Sequence, residues 1–279
     1  MSAVTSAPCP DTLIETEAGS LPARVYGARP VKGTAPLVLH LHGGAFTGGT
    51  LECGACMATL LAQAGAVVVS LDYPLACTNP FPYALTAAMG ALAALHRRRT
   101  ELAGRGAPLY VAGEEAGGNI AAGLAMMARD QQSVPLAGQI LISPMLDPCL
   151  ATNSLREAEA GSCGCKWADG WQRYLGSPDK AAHPYAAPLQ SSRLQGLAPA
   201  LVVSAEDCPL RDESVRYAEA LAHAGVPAEL HLIDGPTGWP DSVARPPAPR
   251  TGWADGLRAV FARFFETTRP RRRAPAPAA

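Results

Sequence analysis

The chain carries almost no net charge, few aromatic residues and no long apolar run. Its 23 lysines and arginines face 24 aspartates and glutamates, for a formal net charge of −1. That balance leaves no electrostatic footprint for nucleic acid as the main partner. No apolar stretch reaches the ~20 residues that a bilayer-spanning helix needs, so no membrane span is expected. The first twenty residues are polar and mixed, without the basic-then-apolar pattern of a secretory signal, and the expected location is the cytoplasm. Nothing in the sequence asks for a cofactor. The eight cysteines of a cytosolic chain are mostly reduced, small, buried side chains. Two local pairs occur, Cys53 with Cys56 and Cys163 with Cys165. A four-thiolate zinc site needs ligands usually two to four residues apart, and Gly164 alone separates the second pair. Free thiols or a disulfide fit better than zinc, and no metal is expected.

What is present is a core. The 279 residues are 48% hydrophobic, enough for one large core or two small ones. "ARVYGA" (23–28) reads as an early antiparallel strand. Short apolar runs follow at 36–44, 66–74, 108–113, 138–146, 199–207 and 228–235. Helical patterns lie between or after them at 51–64, 84–103, 117–130, 211–224 and 251–267. Continuous apolar strands alternating with helices predict a parallel sheet covered on both faces. The fold expected is one doubly wound, mostly parallel α/β domain over residues 1–268. Ligands of such sheets bind at the carboxyl ends of the strands. Residues 1–20 and 147–190 fit the core less well and are assigned to a small helical lid there. The end, "RPRRRAPAPAA" (269–279), is basic and then Pro/Ala-rich, and is expected to be a disordered tail.

The stretch "AGEEAGGNIAAGLA" (112–125) carries the sharpest signal. Gly113 and Gly117 frame a G-x-x-x-G turn between a strand and a helix. The central residue of such an elbow is normally a nucleophilic serine. Here it is Glu115.

Several stretches together resemble the α/β-hydrolase fold and, within it, the hormone-sensitive-lipase-like carboxylesterases. "HLHGGAF" (40–46) is similar to that family's H-G-G-G-[FW] oxyanion loop, with Ala45 in place of the third glycine. "LDYPLACTNPFPYAL" (71–85) resembles D-Y-R-L-A-P-E-x-P-F-P-A, and "GEEAGGNIAAGLA" (113–125) resembles G-D-S-A-G-G-N-L-A. "AEDCPLRDES" (205–214) resembles the stretch that carries the catalytic aspartate, and "YAEALAHAGVPAELHLIDG" (217–235) the approach to the catalytic histidine. The motifs occur in order across residues 20–267.

The resemblance implies a Ser-His-Asp triad, and the sequence departs from it at each position. Glu115 fills the nucleophile slot, Cys208 the acid slot and Thr237 the histidine slot. Asp207 is one residue out of register and is expected to point elsewhere. Of the six histidines, His40, His42, His96, His183, His223 and His231, none follows His231. The family role of His42 looks structural, and His183 is the one lid candidate. Gly43, Gly44 and Ala116 supply the oxyanion-hole N–H donors that the resemblance implies. A triad works because a base takes the serine proton and an acid orients that base. The expectation is a pseudo-hydrolase that binds a small, mostly apolar molecule in the former active site, as a monomer or a homodimer. Two alternatives stand beside it. One is a cyclase, isomerase or lyase that uses Glu115 as general acid or base. The other is an esterase acting through a water activated by Glu115.

Overall fold

The computed structural model describes residues 11–159, 164–244 and 252–270. The strands are β1 (Asp11–Thr16), β2 (Gly19–Tyr26), β3 (Leu37–Leu41), β4 (Val67–Leu71), β5 (Leu109–Glu114), β6 (Gly138–Ile142), β7 (Ala200–Ala205) and β8 (Ala228–Ile233). The helices among the described residues are α1 (Ala55–Gln63), α2 (Tyr83–Ala103), α3 (Ala116–Gln131), α4 (Asn153–Glu159), α5 (Gly164–Leu175), α6 (Arg211–His223) and α7 (Gly252–Thr267). One eight-stranded sheet runs in the order β1-β2-β4-β3-β5-β6-β7-β8. β1 pairs antiparallel with β2 and β2 antiparallel with β4, and every later pairing is parallel. The central strands β3 to β7 are buried along their whole length. That explains their near-continuous apolar sequence, since both faces are covered by helices.

From β3 the chain steps one way along the sheet to β4 and then returns to the other side of β3 as β5. The loops leaving β3 and β5 therefore part from each other. The crevice they open at the carboxyl end of the sheet is where doubly wound folds place ligands.

Residues 11–20 are not part of a lid. They form β1 and the tight turn into β2, where the Thr16 hydroxyl donates to the Gly19 carbonyl at 2.6 Å. Only Ile14 of β1 is buried, so the segment shows no apolar alternation to mark it as a strand. Its order comes from backbone pairing with β2. Residues 1–10 and 271–279, and with them nearly all of the expected tail, lie outside the described residues. Residues 147–190 do hold helices, α4 and α5, and α5 reaches the crevice.

Candidate functional site

Glu115 stands where β5 ends and α3 begins, with φ of 52° and ψ of −114°. A non-glycine residue in that region is strained. Its backbone is held on both sides. Its N–H donates to the Ile142 carbonyl at 3.0 Å, and its carbonyl accepts from Met145 at 3.0 Å and Asn119 at 3.2 Å. The two frame glycines allow the tight turn. A Cβ on Gly113 would sit 2.3 Å from the Gly117 carbonyl oxygen, and one on Gly117 would sit 2.1 Å from that of Leu41. The start of α3 therefore rests against the end of β3 with no room for a methyl group.

The Glu115 side chain turns into the loop after β3. Its Oε2 accepts N–H bonds from Gly44 at 2.5 Å and Ala45 at 3.1 Å. Its Oε1 accepts from the indole Nε1 of Trp167 on α5 at 2.7 Å. Three N–H donors converge on a carboxylate that is only 7% exposed. Such a set suits an ionised carboxylate, which accepts at both oxygens and donates at neither. The loop is bent to present these donors: Gly44, Ala45 and Phe46 have φ of 124°, 49° and 63°. Of the oxyanion donors expected from sequence, Gly44 makes its bond. Ala45 makes the second. Gly43 contributes bareness instead, because a Cβ there would come 2.9 Å from Glu115 Oε2. Ala116 is buried at the first position of α3.

A cavity of about 280 Å³ lies beside this cradle. Gly43, Gly44, Ala45 and Glu115 line it, with Glu114, Ser143, Lys166 and the 240–244 segment. Cys208 and Thr237 are not among its lining residues. Cys208 is buried and donates to the Ser143 hydroxyl at 3.2 Å, which in turn shares a hydrogen bond of 3.0 Å with Ser204. Burial pushes its thiol up despite these contacts. Among the described residues, none of the groups that shift this thiol is a lysine, arginine or histidine that could favour a thiolate. Thr237 is gripped by Asp207. The carboxylate accepts the Thr237 hydroxyl and N–H, each at 2.7 Å, and the Gly238 N–H at 2.8 Å. Partial burial opposes the anion, but these bonds hold the Asp207 carboxyl below its ordinary range. Contrary to the expectation that it points elsewhere, Asp207 faces the histidine slot and holds Thr237, whereas Cys208, in register with the acid, bonds Ser143 instead.

Other expectations resolve as follows. His183 packs against the rings of Phe81 and Tyr185 and accepts the Tyr185 N–H. His42 stacks on Tyr73 at 4.4 Å. His40, which the sequence did not single out, is buried between Ser70 at 2.9 Å and Glu114 at 2.6 Å. Cys53 and Cys56 are both free thiols. Cys163 lies outside the described residues, so the second cysteine pair cannot be placed. Among the described residues no cluster of His, Cys, Asp and Glu could hold a metal ion, and no helix is long and apolar enough to cross a membrane.

A mostly parallel eight-stranded sheet, with a strained strand-to-helix elbow at its switch point, defines the α/β-hydrolase class. The chain belongs to that family and to its carboxylesterase-like hydrolases, residues 38–237 matching the model described as alpha/beta hydrolase fold. Esterase LipI of Mycobacterium tuberculosis is 35% identical over 248 residues, which cover 82% of this chain and 75% of LipI. Carboxylesterase NlhH of the same species is 36% identical over 216 residues, 75% of this chain and 68% of NlhH. Among solved structures, esterase LipW from Mycobacterium marinum superposes with a TM-score of 0.79 at 32% identity, covering 94% of this chain and 83% of LipW. EstE1, a thermostable carboxylesterase cloned from a metagenomic library, gives 0.80 at 31% identity, covering 95% of this chain and 90% of EstE1.

Proposed function

We propose that this chain has given up the triad chemistry of its family and uses the former active site to bind a small, mostly apolar molecule. The observation that carries the reading is the Glu115 carboxylate on the N–H groups of Gly44 and Ala45. In an esterase of this fold those donors stabilise the oxyanion that forms on the substrate. Here a built-in anion holds them, so an incoming carbonyl would have to displace a charged group from its bonds. The elbow offers no hydroxyl or thiol, and the slot that delivers the base holds Thr237, tied to Asp207.

The same geometry weighs against Glu115 as a proton carrier or as activator of a water. Both its oxygens are committed to N–H donors, whereas a general base must reach the proton it takes. The relatives bear esterase names, so the deciding experiment is hydrolysis of short-chain nitrophenyl esters by the wild-type protein. No turnover above a Glu115→Ala control, which lacks the elbow carboxylate, is expected. Brisk turnover that this variant loses would overturn the reading and return the chain to the esterases.

A further inference from the structure

β8 closes the sheet at one edge, and among the described residues it pairs with β7 alone. In a parallel ladder, alternate residues turn their N–H and C=O groups to the neighbouring strand. The carbonyls of Pro227 and Ile233 accept from the N–H groups of Ala200 and Glu206, at 2.8 and 3.0 Å. The odd-numbered residues of β8 therefore face β7, and the backbone groups of Leu230 and Leu232 point outward. The same two residues are 37% and 36% exposed, whereas β7 beside them is buried throughout. Glu229 is ion-paired with Arg263 on α7. It shares that face of the sheet with His231, so the two leucines lie on the opposite face.

Natural sheets blunt an open edge with charge, proline or a bulge. Here the outward positions between Glu229 and Ile233 are both leucine, so open backbone and bare apolar side chains coincide. We propose that β8 is a self-association edge, on which a second copy of this chain lays its own β8 antiparallel about a twofold axis through His231. This register sets Leu230 against the partner's Leu232, each pair exchanging both backbone bonds. The leucines of both copies then form one patch at cross-strand contact distance. On the other face, Glu229 is the one formally charged residue of β8. It meets the partner's Ile233 and lies diagonal to the partner's imidazole, so the charges complement each other. Sliding the strands until Leu230 meets its own copy would set Leu232 against Ala228 and break up the patch. Twofold symmetry closes the assembly at two copies. The inference is independent of what the cavity binds.

Sedimentation equilibrium of the full chain over a dilution series reads the assembly, and a monomer–dimer equilibrium is expected. Leu230→Lys with Leu232→Lys puts like charges opposite each other in every leucine pair and should weaken the dimer at least about tenfold. Leu230→Lys with Leu232→Glu puts opposite charges across the same pairs and should restore most of that loss. Leu13→Lys, on the edge strand β1 and at a residue 54% exposed, should leave the dimer unchanged. A wild type that stays monomeric, or that grows into larger assemblies, overturns the proposal. So does a dimer that survives the first variant, one that the mixed-charge variant fails to restore, or one that Leu13→Lys dissolves. If the first variant does not fold, dimerisation of the wild type and of the mixed-charge variant decides.

Discussion

Asp207 clamps Thr237, taking its hydroxyl on one carboxylate oxygen and its backbone N–H on the other, each at 2.7 Å. The pairing sets the course of the 237–244 loop, whose far part, Pro240 to Ala244, walls the cavity. Asp207→Ala removes three bonds to one carboxylate. It should cost roughly 1–3 kcal/mol, the range for losing partners of a charged acceptor. Hydrogen exchange at the Thr237 and Gly238 amides should speed up selectively. Unchanged protection there would show that the loop is held by packing alone.

Trp167 and Glu115 should be energetically coupled. Trp167→Phe keeps much of the ring packing but leaves Glu115 Oε1 without its donor. A loss of about 1–3 kcal/mol is expected in the wild type, and clearly less in a Glu115→Ala background. A double-mutant cycle from denaturant unfolding reads the difference. Equal costs in both backgrounds would reduce Trp167 to a packing residue.

Restoring a hydroxyl at the elbow should not restore an esterase. Glu115→Ser frees the Gly44 and Ala45 donors, yet Thr237, in the histidine slot, cannot take the serine proton. Triad members act as a unit, so one regained member recovers little. The triple variant Glu115→Ser, Cys208→Asp, Thr237→His should do better, though only in part. Position 237 keeps its backbone bond to Asp207 but loses the hydroxyl one, and a grafted histidine lacks packing built to aim it. Nitrophenyl ester rates for the two variants should differ severalfold or more. Equal rates would mean that an overlooked residue serves as base.

Glu213 should make stability fall as pH rises. Its carboxyl is buried, accepts N–H bonds from Leu146 and Asp147 on one oxygen, and has no donor on the other among the described residues. Burial pushes it up to about 8, with the Leu146 and Asp147 N–H bonds and the nearby Arg216 opposing and the Asp147 charge adding. The folded state therefore holds this proton more tightly than the unfolded chain does. The contribution is complete below about pH 4.5 and is lost as pH rises toward about 8, by at most about 1.4 kcal/mol per pH unit. Glu213→Gln should flatten that slope in unfolding experiments across the window. A slope identical to the wild type would assign it to other groups.

The sheet and its helices were legible in the sequence because the central strands are short, continuous apolar runs between helical periods. The elbow was legible because Gly113 and Gly117 cannot carry a side chain where α3 meets β3. β1 was not, since its pairing is made by backbone and only one of its side chains is buried. The partners of Glu115 were hidden for a different reason. Trp167 lies 52 residues away in sequence, on a helix with no motif, and the second loop donor is Ala45 rather than Gly43. The His40–Glu114 bond joins residues 74 apart, and nothing local in either stretch signals it.

The bond from Trp167 to the elbow also limits how far α5 can move. Swinging α5 away would strand a buried anion without one of its three donors, so that helix behaves as a fixed roof. Lys166 and Asp241, 37% and 63% exposed, are joined across the outer edge of the same cavity. Such a pair is weak in water and weaker in salt. This outer contact therefore loosens as ionic strength rises, while the Trp167–Glu115 bond beneath it, shielded from solvent, does not.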